Sequence, residues 1–468
     1  MQVFDLIVVG TGSGLEVSSA AAERGLRVAV VDHGPFGGTC LNRGCIPSKM
    51  LIHSADLLEQ IRGAHRFGIE AEVRRIDWAA IVRRAAETVD ADAREIEEGN
   101  REQPNITVFN ETARFVGDKT LQVGDQSIRA DTVVIAAGSR PRIPGIPGLG
   151  DIEYLTSDNA MRLPEQPRSM IILGGGATAV ELANFFGTLG TEVTIVQRGK
   201  RLLSHEDEAV GDRLTEVYSR RFLVLTGASA RSVRPYAGGL ELEVEGPHGT
   251  LTLSAEALLV TLGRVPNTDV LEVHHGGVAL DEQGFVRTDE YLETNVPGVW
   301  ALGDIVGKYL LKHSANLEAA YVAHNVFHPD GKIAVDYTAM PQAIFSSPQV
   351  ASVGLTEREV CERGRPYLVS EYSYDQAAYG ASIEDHDGFV KALADAESRE
   401  ILGCHIIGTD ATVLIQEAVL AMRMHADVTA ITAAVHAHPA LPEVVQRAFG
   451  TLHEPAEQPT AASIRVKE

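Results

Sequence analysis

Short apolar runs punctuated by glycine recur along this chain and predict alternating strands and helices. The first run covers residues 4–9 and breaks at Gly10-Thr11-Gly12-Ser13-Gly14. An alanine-rich helix over 17–24 and a second apolar strand over 27–31 follow, and that strand ends at Asp32. Continuous apolar runs of this length suit strands buried on both faces, as a parallel sheet requires. The same order returns at 170–173, where an apolar strand meets Gly174-Gly175-Gly176-Ala177-Thr178-Ala179, a helix over 179–189 and a strand over 192–196. Between the two units, a region over about 50–100, rich in Ala, Glu and Arg, reads as a long helical region. Alternating strands over about 106–136 then end at Val134-Ile135-Ala136-Ala137-Gly138-Ser139-Arg140-Pro141. Pro141, Pro144 and Pro147 mark a stiff crossing segment. Strands over about 221–262 finish the second unit. From about 337 the pattern turns antiparallel, with strands near 343–345, 350–354 and 389–393 and helices near 411–424 and 441–448.

Each strand–glycine–helix unit is shaped to hold a dinucleotide. Glycines let backbone N–H groups approach a pyrophosphate at a helix N-terminus, and an acid ending the next strand accepts a ribose hydroxyl. In the first unit the candidates are Gly10, Gly12, Gly14 and Asp32, the acid standing 22 residues beyond the first glycine. The spacing departs from the usual fingerprint. The third glycine belongs at position 15, where Leu15 stands, and Gly14 comes one place early. Asp32 reads as a ribose ligand or as a strand-end turn residue. In the second unit Gly174 and Gly176, with Ala179 third, satisfy the pattern. Two units predict two bound nucleotides. The second of these strands runs into Gln197-Arg198. A carboxylate there would bond the ribose 2′-hydroxyl of NADH and repel a 2′-phosphate. A neutral Gln197 beside a cationic Arg198 favours NADPH over NADH, the other reading being a solvated basic turn.

Composition narrows the class. The chain has 468 residues, enough for about three domains, and 44% of them are hydrophobic. No apolar run approaches the roughly 20 residues a membrane helix needs. The N-terminus lacks the basic flank and cleavage pattern of a signal peptide, so a cytoplasmic protein is expected. Sixty-four acidic residues against 41 basic leave a formal charge of −23, which disfavours nucleic-acid binding. Four cysteines exclude a disulfide scaffold. Cys361 and Cys404 stand alone and read as buried, idle thiols.

The other two cysteines lie in Gly37-Gly38-Thr39-Cys40-Leu41-Asn42-Arg43-Gly44-Cys45-Ile46-Pro47-Ser48-Lys49. A regular helix would hold the Cα atoms of Cys40 and Cys45 roughly 8–9 Å apart, whereas a disulfide needs about 7 Å or less. A bridge therefore requires a slightly bent helix, for which Gly44 supplies the freedom. Two unlinked buried thiols are the other reading of this spacing. The whole string resembles the redox-active site of the FAD-dependent pyridine nucleotide–disulfide oxidoreductases. Dihydrolipoyl dehydrogenase, glutathione reductase, mercuric reductase and mycothione reductase belong to that family.

The resemblance covers about residues 1–450. It implies an α/β fold with two Rossmann-like nucleotide-binding domains and an α+β C-terminal dimerisation domain. FAD would be held by residues 1–150 and 271–336, NAD(P)H by 151–270, and the partner subunit by 337–452, with 453–468 as a disordered tail. Gly138 ends the family's return strand, and Gly263 lies in its exit loop, Leu262-Gly263-Arg264-Val265-Pro266-Asn267. Val299-Trp300-Ala301-Leu302-Gly303-Asp304 resembles the second flavin motif, in which Gly303 backs Asp304 on the ribityl chain. Thr39 joins the cofactor-binding set, as does His313, on a helix whose start should face the flavin ring.

The same resemblance implies the roles in catalysis. A Cys40–Cys45 disulfide would be opened by reduced flavin. Cys45 would sit against the isoalloxazine, and Cys40 would face outward and attack a disulfide substrate. Lys49, paired with Glu181, would lie near the flavin; a surface salt bridge is the other reading. His438 stands before Pro439, with Glu443 five places later. An imidazole held by a carboxylate exchanges protons with thiols near neutral pH. Taken alone, His438 would read as a helix-cap or core histidine. His436 matches nothing and receives no role. The family is a head-to-tail homodimer in which His438 would serve the other subunit's disulfide.

Within the family, the last cysteine is Cys404, which argues against the mercuric and large thioredoxin reductases, with their additional C-terminal pair. Gly44-Cys45-Ile46-Pro47-Ser48-Lys49 looks most like dihydrolipoyl dehydrogenase, an NAD enzyme working in the oxidising direction. Residues 309–316, Ala378-Tyr379-Gly380, Glu384-Asp385 and Ala440-Leu441-Pro442-Glu443-Val444-Val445 look more like mycothione reductase. The expected activity is reduction of a low-molecular-weight disulfide of the mycothione or bis-γ-glutamylcystine kind. Dihydrolipoyl dehydrogenase is the alternative, and a non-catalytic flavin-binding subunit a distant one. No metal is expected.

Overall fold

A computed structural model describes residues 1–455. The early apolar runs become a sheet buried on both faces. Strands Gln2–Val9, Val28–Asp32 and Ile106–Asn110 run parallel in adjacent positions, and Gln126–Ile135 lies parallel on the other side of Gln2–Val9. Residues 28–31 are all buried, which accounts for the missing polar alternation. Ala113–Gly117 and Thr120–Val123 extend the sheet as antiparallel strands. Much later, Val299–Ala301 returns to pair with Gln126–Ile135.

The second unit has four parallel strands in the order Leu223–Thr226, Glu192–Gln197, Ser169–Leu173, Ala257–Val260. An antiparallel meander, Ser229–Tyr236, Gly239–Gly246 and Gly249–Ala255, accompanies it. The two crossings between units pair with each other, Ser139–Pro141 against Arg264–Pro266. The C-terminal part is a five-stranded antiparallel sheet, ordered Pro341–Ile344, Gln349–Gly354, Ile401–Gly408, Phe389–Asp395, Tyr367–Ser373. Helices Ala411–Arg423 and Pro442–Gly450 pack on it. The molecule is thus the mixed α/β protein read from the sequence, with two nucleotide-binding-type domains and a C-terminal α+β domain.

Several elements differ from the sequence reading. The expected helical stretch over 50–100 is two helices, Cys45–Gly63 and Trp78–Glu102. A 3-10 turn, Ala64–Phe67, ends at Gly68, whose φ of +76° reverses the chain. The second helix restarts at Asp77, whose carboxylate accepts the Ala80 N–H. Helix Glu208–Arg221 was not anticipated. Its charged residues mask Val210, Leu214, Val217 and Tyr218, which are buried at helical spacing. Strands Tyr367–Ser373 and Ile401–Gly408 were missed as well; the second is buried at every position despite its two glycines and His405. His453, placed in the tail by the sequence, exchanges backbone hydrogen bonds with Val369 at 2.9 and 3.1 Å. The remainder of that tail, from residue 456, lies outside the described residues.

One core links all three parts. Helix Cys45–Gly63 packs against helix Ala177–Thr188 of the second unit, and Trp78 stacks on Phe185 and Phe186 with centroids 5.2 and 5.5 Å away. Ile344, Phe389 and Ile407 of the C-terminal sheet join the same cluster. The cysteine helix is therefore held from two sides. Among the described residues, no helix is long and apolar enough to cross a membrane.

Candidate active site

The cysteine segment is not one bent helix. A short helix, Gly38–Arg43, stops at Gly44, and a new one, Cys45–Gly63, starts at the next residue. A Cβ at position 44 would sit 3.0 Å from the Thr39 carbonyl oxygen and 3.4 Å from the Cys40 Cα. Glycine thus permits the close turn that brings Cys45 back onto Cys40. Asn42, buried and overlooked in the sequence, braces this turn. Its amide donates to the carbonyls of Pro35 (3.0 Å), Phe36 (2.8 Å) and Gly38 (3.0 Å).

The two thiols are hydrogen-bonded to each other and unbridged. The bond from Cys40 and the Lys49 ammonium pull the Cys45 thiol down to about 7, against burial and the Glu181 charge. As the donor in that bond, and partly buried, the Cys40 thiol is pushed up, with Lys312 opposing. The Lys49 ammonium therefore favours negative charge on the Cys45 side of the pair. Lys49 Nζ donates to both oxygens of Glu181 at 2.8 and 2.9 Å and lies 4.7 Å from the Phe345 ring centroid.

The first glycine loop adjoins this segment. Gly37 N–H donates to the Thr11 carbonyl (3.1 Å), and a Cβ on Gly38 would meet the Gly12 Cα at 2.9 Å. Thr39 follows on the same short helix. Gly10 backs onto the Ala136 carbonyl. Gly14, one place early by the fingerprint, is the first residue of helix Gly14–Glu23. A Cβ there would fall 2.7 Å from Ala136 Cβ and 2.9 Å from Val8 Cγ1. It performs the close helix–strand packing that the third glycine normally allows, and Leu15 packs against the same apolar cluster that holds Val8. Asp32 ends its strand with Oδ2 accepting the Thr11 N–H (2.8 Å) and hydroxyl (2.6 Å), and Oδ1 accepting the Gly34 N–H (3.1 Å).

In the second unit, Gly174 follows its strand, Gly176 caps helix Ala177–Thr188, and Ala179 is buried within it. Gln197 closes its strand with Nε2 on the Arg201 carbonyl (3.2 Å). Arg198 is exposed, whereas Arg201 is held by Asp212 (2.6 Å) and Glu208 (3.2 Å). Gly138 and Gly263 flank the paired crossings. Ser139 hydroxyl donates to Asp304 Oδ2 at 2.6 Å and accepts from Arg264 at 2.6 Å, which gathers Asp304 to the crossing. Gly303 N–H donates to Glu318 at 2.5 Å. Tyr337 hydroxyl donates to the other oxygen of Glu318 at 2.8 Å. Burial lifts the Glu318 carboxyl to about 7. His313, near the start of helix Lys312–Phe327, bonds the Pro341 carbonyl at 2.8 Å.

His438 projects from the C-terminal domain with its side chain 72% exposed, and Nδ1 lies 3.0 Å from Glu443 Oε1. The His438 bond and the Ala440 N–H (3.1 Å) hold the Glu443 carboxyl below its usual range. The charges acting most strongly on the two thiols come from one another, Lys49, Glu181 and Lys312, and His438 is not among them. His436, given no role, is buried with Nε2 2.8 Å from Glu417. Cys361 and Cys404 are buried.

A Cβ on Gly138 or Gly176 would meet nothing within 4 Å, so these backbones border open space, and helices Gly14–Glu23 and Ala177–Thr188 start beside the two glycine loops, leaving free N–H groups of the kind a pyrophosphate takes.

Comparison with known proteins agrees. Residues 4–325 match the family model described as pyridine nucleotide-disulphide oxidoreductase, and 340–449 match that family's dimerisation domain. Mycothione reductase of Mycobacterium tuberculosis is 39% identical over 467 residues, covering 96% of this chain and 99% of the relative. Dihydrolipoyl dehydrogenase of Chlamydia muridarum is 34% identical over 453 residues, covering 95% of each. The flavoprotein disulfide reductase RclA of Escherichia coli, solved as a Cu(II) complex, superposes with a TM-score of 0.86 at 25% identity, covering 96% of this chain and 99% of that one. Membership implies use of a flavin and a pyridine nucleotide. With two glycine-loop units ahead of a dimerisation domain, and relatives matched along nearly their whole length, this chain is a member of the pyridine nucleotide-disulphide oxidoreductase family.

Proposed function

We propose that this enzyme passes electrons from NADPH through FAD and the Cys40–Cys45 couple to a low-molecular-weight disulfide of the mycothione type. The observation that carries the reading is the thiol pair itself. Its segment abuts the Gly10 loop, and the Lys49–Glu181 ion pair stands beside Cys45. The reaction balances as NADPH, a proton and a disulfide giving NADP⁺ and two thiols.

Flavin, which the Gly10 loop and Asp304 would hold, would supply the hydride and electron-pair chemistry linking a nicotinamide to the Cys40–Cys45 disulfide. The chain's own residues do the rest. Gly44 lets the pair close and open without moving the long helix. Lys49 stabilises negative charge on the Cys45 side. His438 of the partner subunit takes the Cys40 proton, Cys40 attacks one sulfur of the substrate, and the departing thiolate takes that proton back. Cys45 then attacks Cys40, releases the second thiol and restores the bridge. Glu443 fixes the imidazole's orientation through Nδ1, leaving Nε2 for the transfer. Shared sites would make the homodimer the active unit. In the second domain, neutral Gln197 and exposed Arg198 favour the 2′-phosphate of NADPH. The same reading places the enzyme in the cytoplasm, where such thiols are kept reduced.

The test is NADPH and NADH oxidation against mycothione, bis-γ-glutamylcystine, glutathione disulfide and lipoamide. Preference for NADPH with mycothione supports the proposal. A preference for NADH with lipoamide, or NAD-dependent oxidation of dihydrolipoamide as the faster direction, replaces it with dihydrolipoyl dehydrogenase. That second reading draws on the 34% relative and on the string from Gly44 to Lys49.

A further inference from the structure

Lys312 begins helix Lys312–Phe327, yet its side chain is tied to the far end of the sequence. Lys312 Nζ donates to the Ser13 hydroxyl at 2.7 Å, and that hydroxyl donates to Asn316 Oδ1 at 2.8 Å. Lys312 and Asn316 lie one turn apart, so one helix face presents a cation and an amide to the same serine. Ser13 belongs to the first glycine loop. At the loop's other end, Thr11 is taken by Asp32. The loop is thus pinned at both ends.

Its charges do not balance for an anionic ligand. A pyrophosphate linkage carries about two negative charges, and a helix N-terminus offers roughly half a positive one. Asp32 adds a negative charge beside Thr11. Lys312 is the cation brought to the loop by a direct bond, and one of only eight lysines in the chain. Only one of its three N–H donors is spent on Ser13. Its charge also acts on the Cys40 thiol, drawing it down against burial.

We propose that Lys312 is the counter-cation of the FAD pyrophosphate, bonding its oxygens while anchoring Ser13 and the loop around them. The inference rests on the flavin reading above. Lys312 supplies charge that the glycine loop cannot, and the Ser13–Asn316 bond holds the loop in place before the cofactor arrives.

The experiment measures release of FAD from purified holoprotein by its fluorescence on dilution, at low and high salt, with riboflavin binding to the stripped full-length chain in parallel. Lys312→Met and Lys312→Gln are each expected to weaken FAD about tenfold or more and to flatten its salt dependence. Riboflavin, which has no phosphate, should bind all variants alike. Lys312→Arg should stay within about threefold of wild type. Lys312→Gln keeps an N–H donor without the charge and Lys312→Met keeps neither, so the pair separates lost charge from lost hydrogen bonding. Unchanged FAD retention in both neutral variants overturns the proposal. So does an equal loss of FAD and riboflavin, because Lys312 would then only support the fold. A wild-type chain that binds neither ligand overturns the flavin reading itself.

Discussion

Lys49 and Glu181 meet across two domains. The ammonium lies 2.8 and 2.9 Å from the two carboxylate oxygens, although 132 residues separate them. The same carboxylate accepts the Phe345 N–H of the C-terminal part at 2.9 Å, so one ion pair ties together all three parts beside the thiols. Its members act on Cys45 in opposite senses.

That opposition gives signed expectations. Lys49→Met should raise the Cys45 thiol above its value of about 7, because an attractive cation is lost. Glu181→Gln should lower it. The rate of iodoacetamide labelling against pH, in the reduced protein, reads both. A shift in the same direction for the two variants would disprove the electrostatic account.

Sharing of sites between protomers has a quantitative signature. Cys40→Ser alone, and His438→Ala alone, should each lose most disulfide turnover, about a thousandfold for the cysteine variant. Refolding the two together in equal amounts yields half heterodimers, each with one intact site, so about one quarter of wild-type activity should return. If each chain uses its own histidine, mixing restores nothing.

Gly14 carries the helix–strand contact despite its early position. Gly14→Ala forces a Cβ to within 2.7 Å of Ala136 Cβ, and should cost about 1–3 kcal/mol in thermal or chemical unfolding. Gly25→Ala serves as a control for added bulk, since a Cβ there meets nothing within 4 Å; with φ at +77° it should show backbone strain alone. A neutral Gly14→Ala would mean the loop, rather than the packing, sets the position.

Glu318 should destabilise the fold as pH rises. Its folded carboxyl titrates near 7 against an ordinary 4.5, so the folded state keeps a proton that the unfolded chain releases. The contribution is therefore fully favourable below about pH 4.5 and declines through pH 7. Glu318→Gln should gain about 1–3 kcal/mol on wild type in going from pH 5 to pH 8, measured by urea unfolding. An unchanged difference between the two pH values would place the carboxyl's titration elsewhere.

The buried polar groups show where local reading stops. Asn42, Glu318 and His436 are ordinary polar residues in the sequence, and each proves buried and bonded to groups brought in by other turns or elements. Helix Glu208–Arg221 was hidden for a similar reason. Its exposed charges dominate its composition, while its five buried positions matter only against the strands it packs on.

The sequence by itself determined the kinds of units and their order. Apolar run length and glycine position are local properties, readable because backbone sterics and covalent distance act over a few residues, whereas the roles of Cys40, Cys45, His438 and Glu443 were implied by resemblance to a family. Only the tertiary structure decided that Gly44 breaks the helix, that Gly14 takes the work of position 15, that Glu181 reaches Lys49, and that Lys312 is bonded to Ser13. Those relations depend on which surfaces meet across hundreds of residues. Long-range packing chooses among many contacts that the local chemistry allows equally well.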